Sequence, residues 1–376
     1  RAETVAFIRE RLEADCRNLG QGKPVSLLAK WLPSVNATNR ETVRTAVTLA
    51  KLLGMKPAEY RKTLSALRKA ENLLENNLRE KDYSFDYSKQ PSNALFKYRA
   101  AFLRNDSERY TDFMNKVSRG EAVLHADNLL PYELVRKCLR TDIDQPFNED
   151  LSPEEKTVLN TTWDALPDFG NGENALAVVD ASGSMYLDYR EYQVIPATVA
   201  FSLGIYFAER NKGQFHNHFM TFSSSPQLLQ LKGENFVEKV EYLSTFDKVA
   251  DTNLEAVFRV LLEAAVKNRI PQEDLPSTLY IISDMEFNEC TQDSDATNFH
   301  NAQEMFRAAG YRLPKVVFWN VASRWQQQPV TQNEQGAVLV SGCNPRLFSQ
   351  VISGEVNPEK FMREILGSAR YAAIVA

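Results

Sequence analysis

The stretch LAVVDASGSMYLD, residues 176–188, changes abruptly from apolar to polar. Its apolar run ends at Asp180, and two hydroxyl side chains, Ser182 and Ser184, follow at alternate positions. A short apolar run bounded by polar residues is typical of a strand that is buried on both faces. The pattern therefore predicts a buried strand that ends in a loop presenting one carboxylate and two hydroxyls.

Further apolar runs follow this stretch and alternate with segments of helical spacing, among them HFMTFSS (218–224), TLYIISDM (278–285), KVVFWNVA (315–322) and AVLVSG (337–342). Such alternation predicts a doubly wound, mostly parallel sheet. The first 140 residues have helical spacing and little strand signal, so they predict a repeat-like array of short helices, one of which has Pro57 in its first turn. Further along, Ser152, Pro153 and Glu155 predict another helix start, with a cap, a proline and a carboxylate in its first turn. The predicted fold class is α plus α/β, with the helical part first.

Oxygen-bearing side chains follow two of the predicted strands and precede one predicted helix. Asp284 ends the run at 278–284, and Thr252 lies in VADTNLEAVF (249–258), where a helix is expected to begin near Asn253. In open α/β sheets, ligands bind outside the carboxyl ends of the strands. We therefore expect one site built from Asp180, Ser182, Ser184, Thr252 and Asp284.

An all-oxygen ligand set suits a hard cation, so the expected metal is Mg²⁺, with Mn²⁺ or Ca²⁺ as alternatives. Hydroxyl ligands neutralise such an ion only partly, which leaves room for a carboxylate or phosphate oxygen from outside. Two other interpretations stay open. The Asp could be an ordinary helix cap with a chance Ser pattern, or the site could have lost its metal.

The same residues resemble the metal-ion-dependent adhesion site of the von Willebrand factor A-type fold. That family's pattern is Asp-x-Ser-x-Ser, then a distant Thr, then a distant Asp, and all five positions are matched here in order. One departure is Asp251, which stands where many members have glycine and adds a negative charge beside Thr252. The resemblance implies an A-type domain that binds a divalent cation.

Charge is unevenly distributed along the chain. Residues 1–140 hold 26 Lys and Arg against 17 Asp and Glu, or +9, whereas the remainder holds 18 against 32, or −14. Cations and aromatic rings interleave in EYRKTLSALRKA (59–70), FKYRAAFLR (96–104) and ERY (108–110), as RNA-binding surfaces require for phosphates and bases. The tyrosines could equally be core residues and the charges a solvated helix surface. The candidate RNA-binding residues are Arg61, Lys62, Arg68, Lys69, Lys97, Arg99, Arg104 and Arg109.

A wider resemblance covers most of the chain. The segments KWLPS (30–34), QPSNAL (90–95), GEAVLHADNLLPYEL (120–134), DASGSM (180–185), SDMEF (283–287), VVFWNV (316–321) and VLVSG (338–342) resemble a family of unknown function. In that family a helical part precedes an A-like part, here residues 1–165 and 166–376. This layout is similar to that of the Ro autoantigen, whose TROVE module of helical repeats binds noncoding and misfolded RNA.

The first functional hypothesis is a Ro-like RNA-binding protein that uses the basic helices and a Mg²⁺ site. The alternative is an interaction module that captures a partner's carboxylate through the metal. A metal-dependent hydrolase is disfavoured, because the sequence has no GxSxG, no P-loop and no second carboxylate two residues after Asp180. His216 and His218 are the remaining candidate bases. We expect a binding protein that is not an enzyme and has no DNA specificity.

The cysteines and the longest apolar segment indicate whether the chain is a zinc-binding, disulfide-rich or membrane protein. Cys16, Cys138, Cys290 and Cys343 have no CxxC spacing, so neither a zinc site nor a disulfide framework is predicted. The longest apolar stretch, residues 194–208, contains a proline and a glycine and is short for a membrane span, so it predicts a buried helix instead. The expectation is a cytoplasmic protein without a membrane partner.

Overall fold

The computed structural model describes most of the chain. The described residues are 2–71, 74–126, 129–142, 144–168, 174–186, 195–246, 253–284, 294–321, 330–332, 338–342, 351 and 357–367. Thr252, Asp251, Cys290 and Cys343 lie outside these ranges.

The described residues before 174 contain helices and no strand longer than an isolated bridge. The prediction of a helical first part is confirmed, and two of its predicted helix starts are found. Pro57 occupies the first turn of the fourth helix, and Ser152 caps the ninth by accepting a hydrogen bond from the Glu155 N–H at 3.2 Å. The nine helices are α1 (Ala2–Gly20), α2 (Leu28–Trp31), α3 (Arg40–Leu52), α4 (Pro57–Ala70), α5 (Leu74–Glu80), α6 (Ser92–Asn105), α7 (Ser107–Ser118), α8 (Pro131–Cys138) and α9 (Pro153–Asp164).

The described residues from 174 onward include a seven-stranded sheet and five helices for which both ends are given. The helices are α10 (Pro196–Arg210), α11 (Phe236–Ser244), α12 (Leu254–Lys267), α13 (Ser294–Ala308) and α14 (Pro358–Leu366). The strands are β1 (Ala175–Val179), β2 (His218–Thr221), β3 (Leu228–Gln230), β4 (Thr278–Ser283), β5 (Lys315–Asn320), β6 (Val330–Gln332) and β7 (Val338–Ser341).

The strand order is β3-β2-β1-β4-β5-β7-β6. The five inner strands are parallel, and the two edge strands, β3 and β6, run antiparallel to their neighbours. The predicted mostly parallel sheet is therefore confirmed. The sequence did not indicate the direction of the edge strands.

The inner strand β1 is buried on both faces, as its continuous apolar run predicts. Ala175, Ala177 and Val179 pack into a cluster that includes α10, whereas Leu176 and Val178 pack into a second cluster that includes α12. Side chains alternate between the two faces of a strand, so one strand supplies both clusters. The end of β1 is thus held from both sides.

Packing groups the chain into two compact units. The first consists of residues 1–90 with 97–107, and the second of residues 91–96 with 108–376. In the second unit, α8 and α9 share one apolar cluster with the sheet and α10. The two units are defined by packing contacts, whereas the boundary at 165/166 was predicted from the change in sequence pattern. That boundary stays a prediction.

The longest apolar segment of the sequence forms α10, which is buried from Pro196 to Ala208 within the second unit. The predicted helix is therefore confirmed. None of the helices in the described part of the chain combines the length and the apolar composition needed to cross a bilayer.

Gly204 sets the distance between α10 and β1. A Cβ atom at this position would lie 2.8 Å from Cγ2 of Val179. We expect Gly204→Ala to lower the free energy of unfolding by about 1–3 kcal/mol through overpacking, although alanine is about 1 kcal/mol better than glycine inside a helix. Urea unfolding, followed by the fluorescence of the buried Trp163 and Trp319, measures this change.

Gly20→Ala on α1 is the matched control, because a Cβ there would meet no atom within 4 Å. Its unfolding midpoint should stay the same or rise slightly. An unchanged midpoint for Gly204→Ala would show that α10 and β1 have room for a methyl group.

Candidate functional site

The two candidate carboxylates lie at the same edge of the sheet. β1 and β4 are parallel neighbours, and Val179 is in register with Ile282. The backbone N–H of Asp180 donates to the Ile282 carbonyl at 3.1 Å, so the pairing continues to the last residue before the loop. Asp180 and Asp284, each following its strand, therefore meet where the sequence predicts.

The loop after β1 folds back onto Asp180. The Ser182 N–H donates to Asp180 Oδ1 at 2.9 Å, and a single 3₁₀ turn, Gly183–Tyr186, follows. The hydroxyls of Ser182 and Ser184 are 3.2 Å apart, and the Ser184 hydroxyl donates to Asp284 Oδ1 at 3.1 Å. Four of the five predicted ligands thus form one hydrogen-bonded cluster.

The fifth predicted ligand, Thr252, lies outside the described residues. The next residue, Asn253, caps α12 through a hydrogen bond from the Ala256 N–H to its Oδ1 at 3.0 Å. The predicted helix start at this position is therefore found. The place of Thr252 in the site stays a prediction.

Ser283 is part of the cluster and was not among the predicted site residues. It is the last residue of β4, is fully buried, and donates its hydroxyl to Asp180 Oδ2 at 2.5 Å. The available signal was a serine immediately before Asp284 in an otherwise apolar run. Its partner is 103 residues away, so spacing alone does not reveal the contact.

Burial gives the site its electrostatic character. Asp180 is 1% exposed and Asp284 is 7% exposed. Burial raises the pKa of Asp180, hydrogen bonds from Ser283 and Ser182 partly lower it, and the neighbouring Asp284 raises it again. No cationic side chain contributes to this balance among the described residues. Such a site favours a cation brought from outside.

The residues present fit a hard divalent cation. Both oxygens of Asp180 are oriented by donors, and the serine hydroxyls can rotate to turn their lone pairs towards an ion. The buried phenolic oxygen of Tyr186 has no hydrogen-bond partner among the described residues, and burial with the nearby Asp180 charge raises its pKa. No group of three or more His, Cys, Asp or Glu side chains in the described ranges is placed to hold a metal. Any metal at this edge therefore depends on the hydroxyls.

The two histidines considered as bases lie away from this cluster. His218 begins β2, so it lies at the amino-terminal edge of the parallel strands, opposite Asp180. His216 Nδ1 is 2.9 Å from the Asn211 carbonyl, and His218 Nδ1 is 2.8 Å from the His216 carbonyl. Their contacts are structural.

A second feature is a basic groove in the first unit, with a volume of about 670 Å³. It lies between α4, α5, and α2 with the loop after it. Six cationic side chains and one carboxylate, Glu75, line it. The cations are Lys30, Arg61, Lys62, Arg68, Lys69 and Arg79.

Four of the predicted RNA-binding residues line this groove, and they differ in their environment. Arg61, Lys62 and Lys69 are exposed and form no salt bridge within the described part of the chain. Arg68 is partly buried and donates to the Ala29 carbonyl, the Ser34 hydroxyl and the Leu32 carbonyl at 2.7–2.8 Å. The guanidinium of Arg68 therefore holds the loop after α2 in place, while the other three cations face solvent.

The groove also has two cations that sequence reasoning missed, Lys30 and Arg79. Lys30 lies in the KWLPS segment, which the sequence marked only as a family resemblance. Arg79 is exposed and pairs with Glu80 at 3.1 Å, a surface contact that contributes little to stability. Neither residue lies in the basic and aromatic runs that indicated the other candidates.

The remaining predicted RNA-binding residues lie on α6 and α7. Lys97 and Arg104 on α6 are exposed, Arg99 is partly buried, and Arg109 is exposed on α7. None of these four lines the groove. Their part in RNA binding stays a prediction.

Two of the aromatic rings that suggested base stacking are core residues. Tyr60 is fully buried and donates its hydroxyl to the Pro33 carbonyl, and Tyr110 is 2% exposed. Tyr98 is partly exposed, with Lys97 Nζ 5.0 Å from its ring centroid and its hydroxyl donating to Glu75 Oε1. The core interpretation is therefore correct for Tyr60 and Tyr110, because their rings fill the interior.

The negative charge of Asp180 should lower the stability of the protein without metal and should raise it when Mg²⁺ is bound. Since its pKa is raised in the folded state, stability falls as pH rises through that pKa, and the ionised group destabilises the metal-free fold at neutral pH. Asp180→Asn should therefore melt at the same or a higher temperature than the wild type in EDTA. In Mg²⁺ the wild type should gain stability and the variant should not.

Differential scanning fluorimetry in EDTA and in Mg²⁺ measures both effects. Glu263→Gln, which neutralises an exposed carboxylate on α12, is the control and should respond to Mg²⁺ as the wild type does. An equal Mg²⁺ response in Asp180→Asn and the wild type would remove Asp180 from any metal site.

Two family models match successive parts of the chain. Residues 3–168 match a domain of unknown function (DUF2828), and residues 174–365 match a second domain of unknown function (DUF7788). An uncharacterized protein, L728, of Acanthamoeba polyphaga mimivirus is 32% identical in an alignment 372 residues long, which covers 93% of this chain. The chain spans only 62% of that protein's length.

A solved structure is similar at a lower level. The crystal structure of the Deinococcus radiodurans RO (RSR) protein aligns with 88% of this chain and 66% of that one, with a TM-score of 0.40 and 12% identity. A likeness of this size carries no functional argument. The second family model covers more than half of the residues, so the chain belongs to the family of the domain of unknown function DUF7788.

Proposed function

We propose that this protein binds RNA through the basic groove of its helical unit and carries a von Willebrand A-type, Mg²⁺-dependent adhesion site on its sheet. The observation that carries the RNA proposal is the groove, with six cations around one cavity and a single carboxylate. The layout of a helical part followed by an A-type part is the one that the Ro resemblance implies. The noncoding RNA class proposed as ligand follows from that resemblance.

Charge and shape both support a phosphate-bearing ligand for the groove. Arg61 and Lys62 on one turn of α4, and Lys69 about two turns further along, are exposed and line the groove, so they present positive charge at both ends of this helix. Lysine and arginine side chains that neutralise phosphates release condensed counterions, which makes binding strongly dependent on salt. A groove of about 670 Å³ has the size of a pocket that holds one small-molecule ligand, so it can admit a nucleotide of a longer strand.

The metal site is proposed to hold Mg²⁺, or Mn²⁺ or Ca²⁺, with Asp180, Ser182, Ser184, Asp284 and Thr252 as its protein residues. The ion would supply a positive charge that attracts an anionic oxygen of the ligand. Ser283 and the Ser182 N–H hold the Asp180 carboxylate in one orientation. Met185, fully buried beneath the loop, accepts a hydrogen bond from the Asp284 N–H through Sδ at 3.2 Å.

We propose binding without catalysis. The Ser184 hydroxyl donates to Asp284, and the Ser182 hydroxyl is paired with Ser184. Activation of a serine nucleophile needs a base within hydrogen-bond reach that is itself oriented by a third group. The Nδ1 atoms of His216 and His218 contact backbone carbonyls and not a serine hydroxyl.

The second candidate function is capture of a partner's acidic side chain at the metal site. The specific observation in its favour is the hydrogen-bonded cluster of Asp180, Ser182, Ser184 and Asp284 at an edge of the sheet. A carboxylate is as good an oxygen ligand for Mg²⁺ as a phosphate. In this case the metal site would bind a partner protein, and the basic groove would bind a separate ligand.

Reversal of the groove charge tests the RNA proposal. The variant Arg61→Glu/Lys62→Glu/Lys69→Glu should bind a fluorescent structured RNA with a single-stranded 3′ end at least about 10-fold more weakly. The slope of log Kd against log salt should fall by about 2, since each phosphate contact to a single strand contributes about 0.7. Fluorescence anisotropy at three salt concentrations gives both quantities.

The matched control is Arg40→Glu/Arg44→Glu/Lys51→Glu on α3. It makes the same change of charge in the same unit, at exposed residues that do not line the groove. If both variants lose the same RNA affinity, the loss comes from the change in net charge and not from the groove. If the wild type shows no salt-dependent RNA binding, the RNA proposal is refuted.

Chelation separates the two candidate functions. The same RNA titration is performed in Mg²⁺ and in EDTA, with the wild type and with Asp180→Asn. If the metal takes an RNA phosphate, EDTA and the substitution should weaken binding to the same extent and not additively. If neither EDTA nor the Asp180→Asn substitution changes the RNA affinity, the metal site does not bind RNA. Capture of a partner's acidic side chain is then the favoured function for that site.

A further inference from the structure

Trp31 is the most exposed large apolar side chain in the described part of the chain, at 77%. It is the last residue of α2 and lies in the KWLPS segment, to which the proposed function assigns no role. Its neighbours Ala29 and Leu32 are buried, so the helix is anchored in the unit while the indole ring stands out from it. A large aromatic ring in this position is accessible to a ligand from solvent.

The short helix beneath Trp31 is fixed by polar contacts as well as by burial. Arg68 donates to the carbonyls of Ala29 and Leu32, on either side of the tryptophan, at 2.8 and 2.7 Å. The Lys30 N–H donates to Glu71 Oε1 at 3.2 Å, and Glu71 is itself buried. The backbone that carries the indole is therefore held in one conformation, which reduces the entropy lost on binding.

Lys30 connects the indole to the basic groove. Its side chain lines the groove, and its Nζ lies 5.8 Å from the centroid of the Trp31 ring. The ring is thus at the rim of a cavity whose other lining residues include the exposed cations Arg61, Lys62 and Lys69. An aromatic face and a row of cations are presented side by side within one unit.

This combination matches a specific kind of ligand. Single-stranded nucleic acid offers unpaired bases with two free faces and regularly spaced phosphates, whereas a duplex keeps its bases stacked on one another. A cationic groove follows the backbone, and an aromatic side chain stacks on a base. The charge complementarity favours an RNA strand over an apolar peptide as the occupant of this rim.

We propose that Trp31 is a stacking platform for an unpaired base of an RNA strand whose phosphates lie in the basic groove. The proposal rests on the proposed RNA-binding function and specifies its substrate class as single-stranded segments. Stacking on one aromatic ring strengthens binding by between about 5- and 100-fold. The groove by itself would retain the weaker, backbone-driven binding.

The test compares three substitutions in the 376-residue chain with two RNA probes, a fluorescent single-stranded 12-mer and a 12-base-pair duplex. Trp31→Leu keeps an apolar side chain but removes the aromatic face, and Trp31→Tyr restores a smaller ring. Phe7→Ala removes another exposed aromatic ring, 65% exposed on α1 of the same unit, and is the control.

The expected result is a loss of about 10-fold or more in single-strand affinity for Trp31→Leu, with near-wild-type affinity for Trp31→Tyr and Phe7→Ala. Duplex affinity should be the same in all four proteins. A single strand with abasic sites should bind the wild type about as weakly as the intact strand binds Trp31→Leu. Quenching of tryptophan fluorescence by the single strand should be smaller in Trp31→Tyr, because the substitution removes a tryptophan that is 77% exposed, whereas Trp163 and Trp319 are buried. The fourth tryptophan, Trp325, lies outside the described residues and is present in both proteins.

Single-strand affinity that is unchanged in Trp31→Leu overturns the stacking proposal and leaves the groove proposal standing. Concentration-dependent self-association that disappears in Trp31→Leu, with RNA affinity unchanged, also overturns it and assigns the ring to a protein contact. If the wild type binds neither probe in a salt-dependent way, the proposed function itself fails.

Discussion

The parallel pairing of β1 with β4 brings two buried carboxylates together, and the proposed site depends on that contact. The register places the residues after Val179 and after Ser283 at one edge, so Asp180 and Asp284 face a common space. Two buried negative charges in proximity are unfavourable without compensation. The donors from Ser182, Ser184 and Ser283 offset part of this cost, and the proposed cation would offset the rest.

The position of Asp180 is set by the core and not by the loop that follows it. β1 supplies side chains to apolar clusters on both faces of the sheet, and α10 packs against it closely enough that Gly204 is needed at the contact. A site that is built at the end of a strand held in this way is more rigid than one carried by a loop. The Asp180 carboxylate, fixed in this manner, would reorganise little if an ion bound, whereas the serine hydroxyls would rotate towards it.

In the helical unit, cations of the same type have two separate roles. Arg68 uses each of its three guanidinium nitrogens to hold α2 and the loop after it, so its charge is part of the scaffold. Arg61, Lys62 and Lys69, on the same helix, remain in solvent around the groove. The scaffold built by Arg68 fixes the shape of the groove, and the solvated cations give it its charge.

The sequence by itself determined the local features of the fold, namely the inner strands, the helix starts and the residues at the strand ends. Apolar runs predicted the inner strands, and the cap at Ser152 with Pro153 predicted the start of α9. The position of Asp180 and Asp284 immediately after two apolar runs placed both at one sheet edge. These features could be predicted because strand periodicity, helix capping and the rule on strand ends act over a few residues.

Only the tertiary structure decided which partner each polar side chain has. Ser283 bonds to a carboxylate 103 residues away, Arg68 bonds to carbonyls 36 and 39 residues away, and the ring of Tyr60 is buried and not available for stacking. Exposure separates Trp31, with its ring in solvent, from Trp163 and Trp319, which are core residues of the same type. Local sequence carries no signal for these outcomes, because burial and hydrogen bonding between distant segments are fixed only when those segments pack together.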